Sequence, residues 1–115
     1  MLSGLEVLQR PNRPDVILTA IQKYFINFDE KRDQILEAIQ ARHAQDLIEA
    51  THFLKSGSAS LGALALAELC GVLEGLGREG DLAAAEGRAE EFAGVSDQTK
   101  SALKDLMEQK VNVTN

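Results

Sequence analysis

The sequence DVILTAIQKYFINFDEKRDQILEAIQAR, residues 15–42, places large side chains three, four or seven positions apart. These side chains are Ile17, Ile21, Tyr24, Phe28, Ile35 and Ile39. They fall on one side of an α-helix, because about 3.6 residues complete each helical turn. Asp15 follows Pro14 and can cap the helix N-terminus. The pattern predicts one long amphipathic helix whose apolar stripe faces a core.

Two shorter helices are predicted from the same spacing farther along the chain. Residues 45–62 form the second helix and residues 63–77 the third. Their stripes consist of Leu47, Ala50, Leu54 and Leu61, and of Leu66, Leu69, Cys70, Leu73 and Leu76. The third helix is expected to end among Gly75, Gly77 and Gly80, because glycine readily adopts the left-handed conformation found after helix C-termini.

A long fourth helix is predicted to start after Asp81, which is a suitable N-cap. Its seam alternates steps of three and four residues, and a bend is expected near Gly94 and Ser96. The seam consists of Leu82, Ala85, Ala89, Phe92, Ser96, Thr99, Leu103 and Leu106.

These helices predict an all-α fold, an antiparallel four-helix bundle in a single domain. The 115 residues suit one core, and Leu plus Ala contribute 31 of them against 12 for Val plus Ile. We expect a lead-in segment at residues 1–14, the bundle at 15–110 and a frayed tail at 111–115. Pro11 and Pro14 separate the lead-in from the first helix.

The charge and cysteine content exclude several classes of function. Twelve Lys and Arg against eighteen Asp and Glu give a net charge of -6, the wrong sign for nucleic-acid binding. The one cysteine, Cys70, lies on an apolar stripe and is expected to pack in the core. The sequence shows no signal peptide and no membrane span, which predicts a cytoplasmic protein or a cytoplasmic domain of a membrane-bound one.

His52 is predicted to point to solvent, because Leu47, Leu54 and Leu61 lie on the opposite side of the same helix. Its neighbours on the wheel are mostly small or polar, and Ala50 to Ala67 contains no acidic residue. Lys55 is the one charge there, with Glu49 one turn back as the expected repulsive neighbour. The residues facing a partner are Gln45, Ile48, Glu49, Lys55, Ser56 and Ala59. This spacing suits an imidazole that takes up a phosphoryl group, but the spacing by itself is more typical of an ordinary surface histidine.

Metal binding is not expected. Glu49 and His52 have the Glu-x-x-His spacing of di-iron bundles, but the sequence has no second such pair. His43 lies half a turn out of phase with His52 and is expected to be exposed near a helix end. No resident cofactor is predicted.

The run Thr51 to Ala63, THFLKSGSASLGA, precedes Leu66, Leu69, Cys70, Leu73 and Glu74. It resembles the histidine-containing phosphotransfer (HPt) domains of bacterial multistep phosphorelays, with their His-x-Leu-Lys core and Leu-x-x-x-Cys-x-x-Leu-Glu segment. Tyr24, Phe25, Asp46 and the final helix also resemble the family's layout more loosely. Ser56 and Gly57 are exchanged relative to the family's usual Lys-Gly-Ser order.

The resemblance implies a four-helix bundle that accepts a phosphoryl group on His52 from a receiver-domain aspartate and passes it to another. Lys55 and Ser56 would then stabilise the phosphoryl group, and Gly57 would join the partner contacts. Such a protein is a carrier and not an enzyme, and the receiver would bring Mg²⁺. Free-standing protein and terminal domain of a hybrid sensor kinase both fit. The alternatives are a helical adaptor without phosphoryl transfer and, less well supported, an enzyme using His52 as general base.

Overall fold

A computed structural model of the protein describes the backbone of residues 16–114 and the side chains of residues 16–109. Within 16–114 all regular structure is helical. The helices are α1 (Val16–Ala41), α2 (Ala44–Ser60), α3 (Leu64–Glu79), α4 (Leu82–Glu86) and α5 (Ala89–Thr114). The all-α prediction is confirmed. The expected lead-in at residues 1–14 and the cap at Asp15 lie outside the described residues.

Four long helices form the bundle, in which α2 packs against α1 and α3, and α5 closes the ring against α1 and α3. Short connections make successive long helices antiparallel. Most residues of the predicted stripes are buried, and Phe28, Ile35, Leu47, Leu73 and Phe92 are each at most 1% exposed. Ile17 and Leu106 were placed on the wrong side of this division, since they are 46% and 37% exposed towards the outer ends of α1 and α5. Cys70 is also fully buried, and burial raises the pKa of its thiol to about 12.

The prediction of one long fourth helix is wrong in one respect, because two turn residues, 87–88, divide it into two helices. The short helix α4 packs against α3 and α1, and α5 begins only at Ala89. Gly87 is a poor helix former, which favours the end of α4 there, although its φ of -65° is a value that any residue adopts. The apolar spacing continues across the interruption, so periodicity alone could not show it. Helix α5 is continuous through Gly94 and Ser96, and the bend expected there stays a prediction.

Predicted helix ends agree with the structure at α3 and α4. Gly80 ends α3 with a φ of 76°, and the Asp81 side chain accepts a hydrogen bond from the Ala84 backbone N–H at 3.1 Å. At the other end of the chain the α5 backbone is helical to Thr114, within the expected frayed tail. Two ion pairs, Asp29–Lys100 and Arg32–Asp97, connect α1 to α5.

Candidate functional site

His52 lies in the middle of α2 and its side chain is 63% exposed. Leu47 and Leu54, on the opposite side of the helix, are at most 2% exposed. The core residues therefore fix the rotation of α2, and this rotation directs the imidazole outward, as the wheel predicts. His43 is also exposed, at the N-cap of α2, with Nδ1 3.5 Å from Oδ2 of Asp46.

Glu74 of α3 is the neighbour of His52 that the sequence names only as the last residue of the family's Leu-x-x-x-Cys-x-x-Leu-Glu segment, with no role at the histidine. Its side chain is only 8% exposed and accepts hydrogen bonds from three groups at once. Nδ1 of His52 lies 3.2 Å from Oε2, Nζ of Lys55 lies 2.7 Å from Oε1, and Nη2 of Arg78 lies 2.9 Å from Oε2. The expectation that Glu49 alone would place a negative charge near His52 is thus wrong.

The charge state of Glu74 follows from its partners. The hydrogen bond from Lys55, assisted by those from Arg78 and His52, lowers the pKa of this carboxyl group to about 2, against the opposing effect of burial. Glu74 is therefore ionised at neutral pH and can only accept hydrogen bonds. We assign the shared proton to Nδ1 of His52 on this basis.

With the proton on Nδ1, the other ring nitrogen of His52, Nε2, carries a free lone pair. In neutral imidazole one ring nitrogen carries the proton and the other is the acceptor or nucleophile. Within the described part of the chain, all hydrogen bonding to the ring goes to Nδ1. The arrangement therefore presents Nε2 to any group that approaches from solvent.

The predicted partner contacts divide into three groups in the structure. Gln45, Glu49, Ser56 and Ala59 are exposed on α2, and Gln45 donates to Glu49 at 3.0 Å. Lys55 is partly exposed but bound to Glu74, so its ammonium group is shared and not free. Ile48 is half-buried at the α2–α3 contact. A Cβ atom added to Gly77 of α3 would lie 3.0 Å from its Cγ1 atom.

Gly57, the remaining expected partner contact, is half-buried where α2 approaches α1, and its contact with a partner stays a prediction. A Cβ atom added to Gly57 would lie 3.0 Å from Cδ1 of Tyr24, so the glycine makes room for a ring of α1. The Tyr24 hydroxyl is held by Ser58 at 2.7 Å, and burial raises the pKa of Tyr24 to about 12. Gly57 thus has a packing role between α1 and α2.

A groove of about 520 Å³ runs between α1 and α2 beside the histidine. Its walls are largely apolar, with Tyr24, Phe28 and Leu54 among them, and both His52 and Phe53 line it. Lys23 also borders the groove. A partner that reaches Nε2 of His52 would meet this apolar surface.

Neither a metal site nor a membrane-spanning helix occurs in the part of the chain that the structure describes. No group of three or more His, Cys, Asp and Glu side chains in residues 16–109 could hold a metal ion. No helix in the described range is long and apolar enough to cross a membrane.

The structure is thus that of a helical bundle with an exposed histidine, hydrogen-bonded to a carboxylate, on its surface. The family model of the Hpt domain matches residues 20–112, and the chain belongs to this family. Members of this family are carriers of phosphoryl groups in phosphorelays. Membership therefore implies, in general terms, phosphotransfer on a histidine and interaction with receiver domains. Searches of the curated proteins and of the solved structures found no match.

Proposed function

We propose that this chain carries a phosphoryl group on Nε2 of His52 between the aspartates of two receiver domains. The observation that supports it most is the 3.2 Å contact between Nδ1 of His52 and the ionised Glu74. This contact orients the ring and keeps the proton on Nδ1, while the ring remains accessible. An ordinary surface histidine does not require a buried acceptor.

The transfer step balances without a further reactant. The lone pair of Nε2 forms a bond to phosphorus, and the bond between phosphorus and the aspartyl oxygen of the receiver breaks, its electron pair returning to that carboxylate. Nδ1 keeps its proton, so the ring becomes cationic as the new bond forms. Glu74 then stabilises that positive charge at Nδ1. Transfer to the second receiver is the reverse reaction at a different aspartate.

Lys55 and Ser56 are proposed to stabilise the phosphoryl group, since they lie one turn after His52 on the same helix. The ammonium group of Lys55 is already near the ring through Glu74. A phosphoryl group adds negative charge that competes with Glu74 for this cation. Arg78, 62% exposed, remains bonded to Glu74 and offsets part of the carboxylate charge.

The receiver is proposed to supply Mg²⁺ and its acidic ligands, and this chain to supply the docking surface. The apolar groove between α1 and α2 opens beside His52. Burial of such a surface favours association, while Lys23 at its border suits an acidic partner.

Phosphoryl labelling tests the proposal. Wild-type chain mixed with receiver domains phosphorylated by [³²P]acetyl phosphate should gain acid-labile phosphate. His52→Gln should gain none, and His43→Gln, the matched exposed histidine, should label as the wild type does. Labelling of His52→Gln would overturn the assignment. Stable receiver binding without any labelling would support the helical adaptor instead.

A further inference from the structure

Phe53 is the most exposed of the five aromatic side chains, all of which lie in the described residues. Phe28 and Phe92 are at most 1% exposed, whereas Phe53 is 49% exposed. It follows His52 directly in α2. A large ring left half in water contributes little to folding, because much of its apolar surface remains hydrated.

The ring is also held in place by a cation from the neighbouring helix. Nζ of Lys31 lies 4.8 Å from the ring centroid of Phe53 and donates a hydrogen bond to Gln34 at 3.3 Å. A cation over an aromatic face is attracted by the ring's electrons and restricts its motion. The contact therefore favours the observed orientation of Phe53 before a partner arrives, which lowers the entropy lost on binding.

The location of the ring places it where a partner of His52 would dock. Phe53 and His52 line the same groove between α1 and α2. A receiver whose aspartate reaches Nε2 of His52 must cover the groove beside it. A few large side chains near the centre of an interface, once a partner covers them, usually contribute most of its binding energy.

The charges around the ring indicate the chemistry of that partner. Lys31 lies against Phe53 and Lys23 borders the groove. Lys55 follows His52 by one turn on the side of α2 away from Phe53, where its ammonium group is bonded to Glu74. A surface that combines an apolar depression with acidic groups, such as the carboxylate cluster that binds Mg²⁺, is complementary to this arrangement.

Resting on the proposed function, we propose that Phe53, oriented by Lys31, is the specificity-determining anchor for the receiver domain. It selects receivers that present an apolar depression next to the phosphorylated aspartate. The role concerns recognition, and the chemistry at Nε2 does not depend on it.

Two phosphoryl donors separate recognition from chemistry. Phosphoramidate is a small donor that has no docking surface. The protein donors are a panel of receiver domains phosphorylated with acetyl phosphate, and the receiver with the fastest transfer to wild type is used for kinetics. Phe53→Ala and Phe53→Tyr are compared with Ile26→Ala, which truncates a 76% exposed side chain of α1 that does not line the groove.

Phe53→Ala should raise the KM for the receiver on the order of tenfold and reduce the spread of rates across the panel. Labelling by phosphoramidate should be unchanged, and Phe53→Tyr and Ile26→Ala should transfer as wild type does. Lys31→Met should raise the KM about twofold to fivefold. An unchanged KM for Phe53→Ala would overturn the inference while leaving the proposed function intact. Failure of wild type to label from either donor would overturn the proposed function itself.

Discussion

Oε2 of Glu74 lies 3.2 Å from Nδ1 of His52, although the two residues are 22 positions apart and belong to different helices. This contact combines a buried, ionised acceptor with an exposed ring. It therefore connects the packing of α3 on α2 to the protonation pattern of the imidazole. The orientation of the His52 ring and the position of its proton depend on this contact.

Replacing Glu74 by Gln should slow phosphoryl acceptance on the order of tenfold. The amide removes the charge that stabilises the cationic ring, and a charge-assisted hydrogen bond contributes about 1.5–3 kcal/mol. Glu68→Gln, an exposed change on the same helix, is the matched control and should leave the rate unchanged. Single-turnover labelling from a phosphorylated receiver measures both. Equal rates for Glu74→Gln and wild type would refute a role for the carboxylate.

Stability should depend on Glu74 in a defined pH window. The folded pKa of about 2 lies below the ordinary value of 4.5, so the carboxylate stabilises the fold above about pH 4.5. That contribution, on the order of 1–3 kcal/mol, is lost as the pH falls from there towards 2. Urea unfolding of wild type and Glu74→Gln should differ most at pH 7 and converge near pH 2. A difference independent of pH would contradict the ionised assignment.

Lys55→Ala should slow transfer and shorten the phosphohistidine lifetime, because the ammonium group offsets the phosphoryl charge. The Lys55 side chain is 38% exposed, so the effect should be a few-fold and should weaken as salt increases. Lys104→Ala, an exposed lysine on α5, is the control. The decay of acid-labile label at two salt concentrations gives the answer. A salt-independent effect would indicate that Lys55 acts through packing.

Ser56→Gly tests whether the hydroxyl contacts the phosphoryl group. We expect a shorter phosphohistidine lifetime, in proportion to the loss of a hydrogen bond worth about 0.5–1.5 kcal/mol. The variant places two glycines in sequence within α2, which costs up to ~1 kcal/mol, so its unfolding is measured first. A faster transfer with unchanged lifetime would mean that the serine only crowds the receiver. Unchanged values for both would show that it has neither role.

Two glycine substitutions should change stability in opposite directions. Ala at Gly57 would press its Cβ against the Tyr24 ring at 3.0 Å, and that ring is fixed by Ser58. Ala at Gly75 meets nothing within 4 Å and improves helix propensity. We expect a loss of about 1 kcal/mol for Gly57→Ala and a gain of up to about 1 kcal/mol for Gly75→Ala, measured by denaturant unfolding. A stabilising Gly57→Ala would show that the ring moves freely.

Much of the fold is predictable because each long helix carries its own apolar stripe, and the exposure of His52 follows from the position of Leu47 and Leu54. The role of Glu74 was not predicted, although the resemblance includes this residue, because its contact with His52 depends on how α3 is rotated and placed against α2, which no local spacing records. One signal was present, since Glu74 follows the buried Cys70 by one turn and so lies at the edge of the α3 core stripe. The packing of Gly57 on Tyr24 depends in the same way on the approach of α1 to α2.

The most direct test of the carrier function follows the label through two receivers. A first receiver, phosphorylated with [³²P]acetyl phosphate and freed of that donor, is mixed with the chain and a second receiver. The label should pass to the chain and then to the aspartate of the second receiver, and His52→Gln should stop it at the first. If the label reached the second receiver equally well with His52→Gln, or never left the first receiver with wild type, the carrier function of His52 would be contradicted.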